Sequence, residues 1–258
     1  MLYYKLNDIF ETITCFSTTR EGGASKGSYK SFNISPYSGD DSSNWLINKH
    51  HLCQQLNIDE PKLIISHQTH GTEIQLIDES FFCLSDDEKA NRLNGIDGLI
   101  TSLKGVCIGI TTADCVPLIF FDHQKQVTAV AHAGWRGTCA RIAEKILANM
   151  QLYFNSHLQN IYVIIGPSIS VSAYKVGKEV IDTFDKENFD IERICIKSDH
   201  SYFLNLWEAN RITLERAGIL TENIEISGIC TFTEHERFFS ARHLGIKSGR
   251  IYSGIIMR

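Results

Sequence analysis

The chain has 258 residues, 43% of them hydrophobic and 21% charged, with a net charge of −5 and a pI near 6.1. That profile gives a globular protein with room for a sizeable core, and without a run of Lys or Arg it argues against a nucleic-acid surface. No apolar run approaches the roughly 20 residues that span a bilayer, and the opening MLYYKLNDIFETIT lacks a basic segment followed by an apolar one, so a cytoplasmic location is expected.

Taken in chain order, apolar or β-branched runs bounded by Gly, Pro, Asp or Lys predict strands near 12–18, 62–66, 73–78, 106–112, 117–122, 126–131 and 161–165. Helical periodicity falls over 41–57, where Asp40, Asp41 or Ser42 can cap, and over 138–153, where Thr138 can cap. A shorter helix is expected at 177–187, and another at 203–217, stopped by Gly218. Elements of both kinds are mixed along the whole chain, without a low-complexity linker or an internal repeat. One mixed domain over 1–258 is therefore expected.

The eight cysteines, at 15, 53, 83, 107, 115, 139, 195 and 230, form no C-x-x-C pair and read mostly as small buried hydrophobes. Any special cysteine has to be found from its neighbours. The run 106–112 leads into Thr111, Thr112, Ala113, Asp114 and Cys115 before Pro117 opens LIFF, and polar residues between two buried strands are costly unless they face a cleft. The next strand ends at His132. Upstream, KLIIS ends in His67, Gln68, Thr69, His70 and Gly71.

Two imidazoles and a thiolate at strand ends match a catalytic zinc site of three protein ligands with one position left open. Taken singly, Cys115 and His132 also read as ordinary core residues. His67 and His70 compete for one ligand position, because on a strand they point to opposite faces. Absence of H-E-x-x-H, and of H-x-E followed by P-C-x-x-C, removes the common metalloprotease and cytidine-deaminase arrangements. No H-x-H pair occurs, and Met150 is the only methionine away from the chain ends, so the donor chemistry favours zinc over copper.

Three stretches offer anion sites. GWRGT puts Arg136 at a helix N-terminus, TTREGGASKGSYKSFN carries Arg20, Ser31 and Asn33, and FFSARHLGIKSGR carries Arg242, His243 and Arg250. Each also reads as turn or solvated-loop chemistry.

From TREGGASKGSYKSFN through HQTHG, DGLIT (97–101), TTADCVPLIFFD, AHAGWRGT and IGPSIS to FFSARHLGIKSGR, the chain resembles the laccase-domain, YfiH-like family. Its members are described variously as purine nucleoside phosphorylases, multicopper polyphenol oxidases and peptidoglycan editing factors. The resemblance implies an α+β fold, mixed sheets flanked by helices in α/β/β/α layers of the CNF/YfiH-like kind. It also implies that His70, Cys115 and His132 hold the metal and form the catalytic centre, which selects His70 over His67.

The implied activity is zinc-dependent phosphorolysis of adenosine, inosine and S-methyl-5'-thioadenosine, together with adenosine deamination. Copper-dependent phenol oxidation and editing of cell-wall precursors are the alternatives. Partners are then a small purine nucleoside and phosphate, with the oligomeric state left open. For phosphate the expected residues are Arg20 with Asn33, then Arg250, while Asp114 either orients a ligand or water or serves the strand end structurally. Ser168, Lys175 and His243 depart from the residues common in the family at those positions.

Overall fold

The runs VPLIFFD and VTAVAHA are buried at every position, with no in–out alternation, so both of their faces must be covered. The computed structural model, which describes residues 1–258, shows what covers them. Along the chain lie strands β1 (Leu2–Tyr3), β2 (Ile13–Ser17), β3 (Leu63–Ile65), β4 (Ile74–Leu76), β5 (Gly98–Thr101), β6 (Cys107–Thr112) and β7 (Val116–Asp122). They are followed by β8 (Val127–Ala133), β9 (Ile161–Ile165), β10 (Lys175–Val176), β11 (Cys195–Ser198), β12 (Ser201–Leu204), β13 (Ile224–Ile226) and β14 (Ile251–Met257).

Two mixed sheets dominate, one ordered β1-β2-β14-β6-β3 and the other β13-β9-β7-β8-β5-β4. Between them lies a core in which Cys15, Ile108 and Ile255 of the first sheet meet Leu99, Phe121 and Val130 of the second. The outer face of the second sheet, with Leu118, Phe120 and Ala129, packs on Ile146 and Met150 of helix Ile142–Phe154 and on Ile212 of helix Leu206–Ala217. The outer face of the first, with Phe16, Cys107 and Ile256, packs on Leu52 and Leu56 of helix Ser42–Leu56. The result is a helix/sheet/sheet/helix α+β sandwich, as the resemblance implied. No helix is long and apolar enough to cross a membrane.

Each expected strand forms, with no end moved by more than two residues. No strand is expected at 251–257, yet β14 is the middle strand of its sheet. Ser253 and Gly254 break its apolar run, but Gly254 lies opposite Gly109, and a Cβ on Gly109 would come within 2.2 Å of the Tyr252 ring. The glycine pair makes room for a fully buried aromatic.

The helix expected over 138–153 is two helices, Trp135–Cys139 and Ile142–Phe154, separated at Arg141, whose φ of 59° is left-handed. Thr138 does not cap; its hydroxyl donates to the carbonyl of Ala133 at 3.2 Å. Residues 203–204 belong to β12, and the last long helix begins at Leu206, where the Asn205 side chain accepts from Glu208 N–H.

Candidate metal centre

Strands β3, β6 and β8 all end at one edge of the sandwich, and each end delivers one side chain. The loop after β3 carries His70, the turn after β6 carries Cys115, and His132 is the last residue but one of β8, opposite Pro117 of β7. One donor atom from each of the three lies within 4.8 Å of the others, and no further group of three or more such residues converges anywhere in the chain. Tetrahedral zinc with bonds of about 2.0–2.3 Å spaces N and S donors about 3.4–3.6 Å apart, so a small closure completes the set. His67, the competing histidine, binds Asn94 instead, Nδ1 to Oδ1 at 2.7 Å.

Burial decreases from His132 (buried) through Cys115 to His70 (exposed), which opens the group toward a cavity of about 380 Å³. Backbone room at this edge is tight. A Cβ on Gly134 would lie 3.0 Å from Cys115 Sγ and 3.4 Å from His70 Cδ2, so the glycine leaves the space that an ion needs.

Asp97 holds the group together. Its Oδ1 accepts from His132 Nδ1 at 2.7 Å and from the His70 N–H at 3.0 Å, while Oδ2 accepts from the N–H groups of Thr69 (3.1 Å) and Gly71 (2.7 Å). His132 therefore has Nε2 left for a ligand, the arrangement usual for metal-bound imidazoles. The same bonds hold His70 at a left-handed φ of 62°, a conformation uncommon outside glycine. Burial raises the Asp97 pKa, but the bonds from His132, Gly71 and Thr69 outweigh it and keep the carboxylate below its ordinary range.

Burial likewise raises the Cys115 thiol, yet His132 and His70 outweigh it and bring it down to about 6. For His132 burial lowers the value, and Cys115 with Asp97 raises it to about 9. In the metal-free protein the pair is thiolate and imidazolium at neutral pH. A preformed thiolate with two imidazoles suits a borderline-soft ion such as zinc or copper.

Not every residue singled out from the sequence reaches this cavity. Arg20 spends its guanidinium on the carbonyls of Lys30 (2.9 and 2.8 Å) and His235 (2.6 Å), and it stacks on Phe239. Asn33 is fully buried; its amide donates to Ser35 O, Ser38 Oγ and Asp40 Oδ2, and its oxygen accepts from the N–H groups of Ser35 and Arg250.

Asp114, at a left-handed φ of 89°, accepts from Thr231 Oγ1 at 2.7 Å and from the Arg242 N–H at 2.7 Å. Both of its oxygens are engaged in shaping the turn that presents Cys115. Arg136 is exposed and lies over the Trp135 ring at 4.3 Å. Arg250 does line the cavity. Its guanidinium donates to the carbonyls of Ile246, Ser248 and Gly249, without a carboxylate partner.

A family model described as multi-copper polyphenol oxidoreductase laccase matches residues 14–258. This chain belongs to that family. A relative from Bacteroides thetaiotaomicron named purine nucleoside phosphorylase is 41% identical over 259 residues, spanning 100% of this chain and 96% of its own. Another, from an unknown prokaryotic organism and named adenosine deaminase RL5, is 39% identical over 247 residues, spanning 95% and 94%. The crystal structure of YlmD from Geobacillus stearothermophilus matches with a TM-score of 0.90 at 32% identity, covering 96% of this chain and 93% of that one.

Against the family pattern, the three departures have separate settings. Ser168 accepts the indole N–H of Trp207 at 2.6 Å and donates to Gly166 O, so the hydroxyl has its own bonds. Lys175 is exposed on β10, and its carbonyl accepts from Arg242. His243 stacks on His235 with ring centroids 3.6 Å apart. Asp97 is not among the site residues expected from the sequence, although an acid opening the apolar run DGLIT is the kind of buried charge that asks for a partner. Tyr37, at the cavity edge, carries no comparable signal.

Proposed function

We propose that the protein is a zinc-dependent purine nucleoside phosphorylase acting on adenosine, inosine and S-methyl-5'-thioadenosine, with adenosine deaminase activity. The observation that carries this reading is the convergence in one cavity of His70, Cys115 and His132 with the Arg250 guanidinium, which has no carboxylate hydrogen-bond partner. The names of the relatives, purine nucleoside phosphorylase and adenosine deaminase, support the substrate class. Zinc held by His70, Cys115 and His132 would supply Lewis acidity and an activated water.

The chain's own residues supply the rest. Phosphorolysis brings a phosphate oxygen to the anomeric carbon while charge builds on the departing base, so it needs a fixed cation for the nucleophile. Arg250 is that cation, oriented by three carbonyls and without a carboxylate hydrogen-bond partner. Asp97 keeps His132 and the His70 backbone in register. Deamination needs no phosphate and draws only on the metal end of the cavity.

The family description names copper enzymes, but a mononuclear copper site of the His₂Cys kind takes a long axial methionine, glutamine or backbone oxygen, and the Gln68 amide at the cavity is already engaged with Thr111. Met150 is buried in the core between helix and sheet, not at the cavity. Zinc fits this donor set without a fourth protein ligand.

The test is incubation of zinc-loaded protein with inosine or adenosine, with and without phosphate, following free base, ribose 1-phosphate and inosine by chromatography. Phosphate-dependent base release is expected. Stoichiometric zinc without such release overturns the phosphorylase reading.

A further inference from the structure

The cavity has an aromatic wall for which a metal site and an anion site have no use. At its edge the Tyr37 ring stacks on the His67 imidazole, with centroids 4.4 Å apart and planes 30° from parallel. The His67 ring and the Tyr37 backbone are held from behind. His67 is held by its Nδ1 bond to Asn94, by its N–H to Leu93 O at 2.9 Å and by its carbonyl accepting from Gly95 N–H at 2.9 Å. Tyr37 donates its N–H to Ser35 Oγ at 3.2 Å, and the buried Asn33 ties Ser35, Ser38 and Asp40 into the same turn.

Despite that anchoring, Tyr37 stays 48% exposed. A half-open aromatic surface already stacked on its neighbour offers a ready face to a flat ligand, and any planar heterocycle presents a π-face to it. Asn33 also accepts the backbone N–H of Arg250 at 2.9 Å, so one buried amide sets the aromatic wall and the cationic wall relative to each other. Together the two walls suit a planar heteroaromatic base on one side and a separate anion, free phosphate, on the other.

We propose that the Tyr37–His67 stack is the platform for the purine base, with Tyr37 the residue that governs nucleoside affinity. The proposal rests on the nucleoside reading above, and binding separates the two. Inosine is titrated calorimetrically, without phosphate, into zinc-loaded wild type, Tyr37→Ala and Tyr37→Phe, with zinc content and melting temperature measured for each.

Tyr37→Ala is expected to weaken inosine binding about tenfold or more, and Tyr37→Phe to stay within about threefold of wild type, at unchanged zinc content. Wild-type-like binding by Tyr37→Ala overturns the proposal, as does failure of the wild type to bind inosine. Loss of inosine binding together with zinc or with melting temperature also overturns it, because Tyr37 would then be structural. Tyr37-dependent binding with no base released on adding phosphate supports the platform while removing phosphorolysis.

Discussion

Asp97 Oδ1 lies 2.7 Å from His132 Nδ1 and 3.0 Å from the backbone N–H of His70, so one buried oxygen touches both histidine-bearing segments. Removing its charge acts on two ligands at once. Asp97→Asn keeps the shape but presents an N–H₂ group to donors that need an acceptor. Zinc affinity is expected to fall about 10- to 100-fold, the usual cost of losing such a partner. Competition with a chromophoric chelator measures it; an unchanged affinity would show that the ligands hold their places without Asp97.

Gly134 offers a cleaner perturbation, because its φ of −64° and ψ of 173° suit alanine as well as glycine. The added Cβ would sit 3.0 Å from Cys115 Sγ and 3.4 Å from His70 Cδ2, pressing on two of the three ligand side chains. Gly134→Ala is expected to fold with a melting temperature within about 4–5 °C of wild type, since no cavity or unpaired polar group is created. Metal content after purification is expected to drop sharply. A fully zinc-loaded variant would place the ion away from this glycine.

In the metal-free protein, protonation at this site follows from the opposed shifts of Cys115, down to about 6, and His132, up to about 9. Raised above its ordinary 6.5, His132 stabilises the fold fully below that value and loses the contribution as pH rises through about 9. Cys115, lowered from 9.0, stabilises fully above that value and loses the contribution as pH falls through about 6. Between these limits a metal must displace one proton, and that proton comes from the imidazolium. The logarithm of zinc affinity should therefore rise by about one per pH unit from pH 6 to 9, more steeply below 6, and level off above 9. Alkylation of Cys115 in metal-free protein, followed by peptide mass spectrometry, should show a midpoint near 6; a midpoint near 9 would remove the thiolate–imidazolium pair.

How much of this was readable beforehand depends on whether a residue acts through its own type or through its surroundings. His70, Cys115 and His132 stand at the ends of apolar runs, and such runs predict strands well because burial on both faces leaves little choice of residue. Their convergence is a property of two sheets sharing one edge, which no local spacing encodes. Arg20 and Asn33 looked like ligand groups because isolated polar residues among glycines resemble an anion loop. In the fold their donors are taken by carbonyls and carboxylate brought from residues as distant as His235. β14 escaped notice because Ser253 and Gly254 dilute its apolar character, and the reason for that glycine, the Tyr252 ring, becomes visible only across the strand pair.

Arg250 separates the two proposed activities. Its guanidinium is the charged group at the cavity without an acid partner, and hydrogen bonds from a charged donor contribute about 1.5–3 kcal/mol each. Arg250→Gln is therefore expected to raise the KM for phosphate about tenfold or more. Arg250→Lys, which keeps charge but loses the fork geometry, should recover part of the loss. Adenosine deamination needs no phosphate and should change less than about threefold in both variants, because uniform binding of the nucleoside is untouched. Steady-state assays of the two reactions on the same zinc-quantified preparations decide it. Equal losses in both would mean that Arg250 supports the loop Ile246–Gly249 and not the nucleophile, since its three carbonyl bonds all lie there.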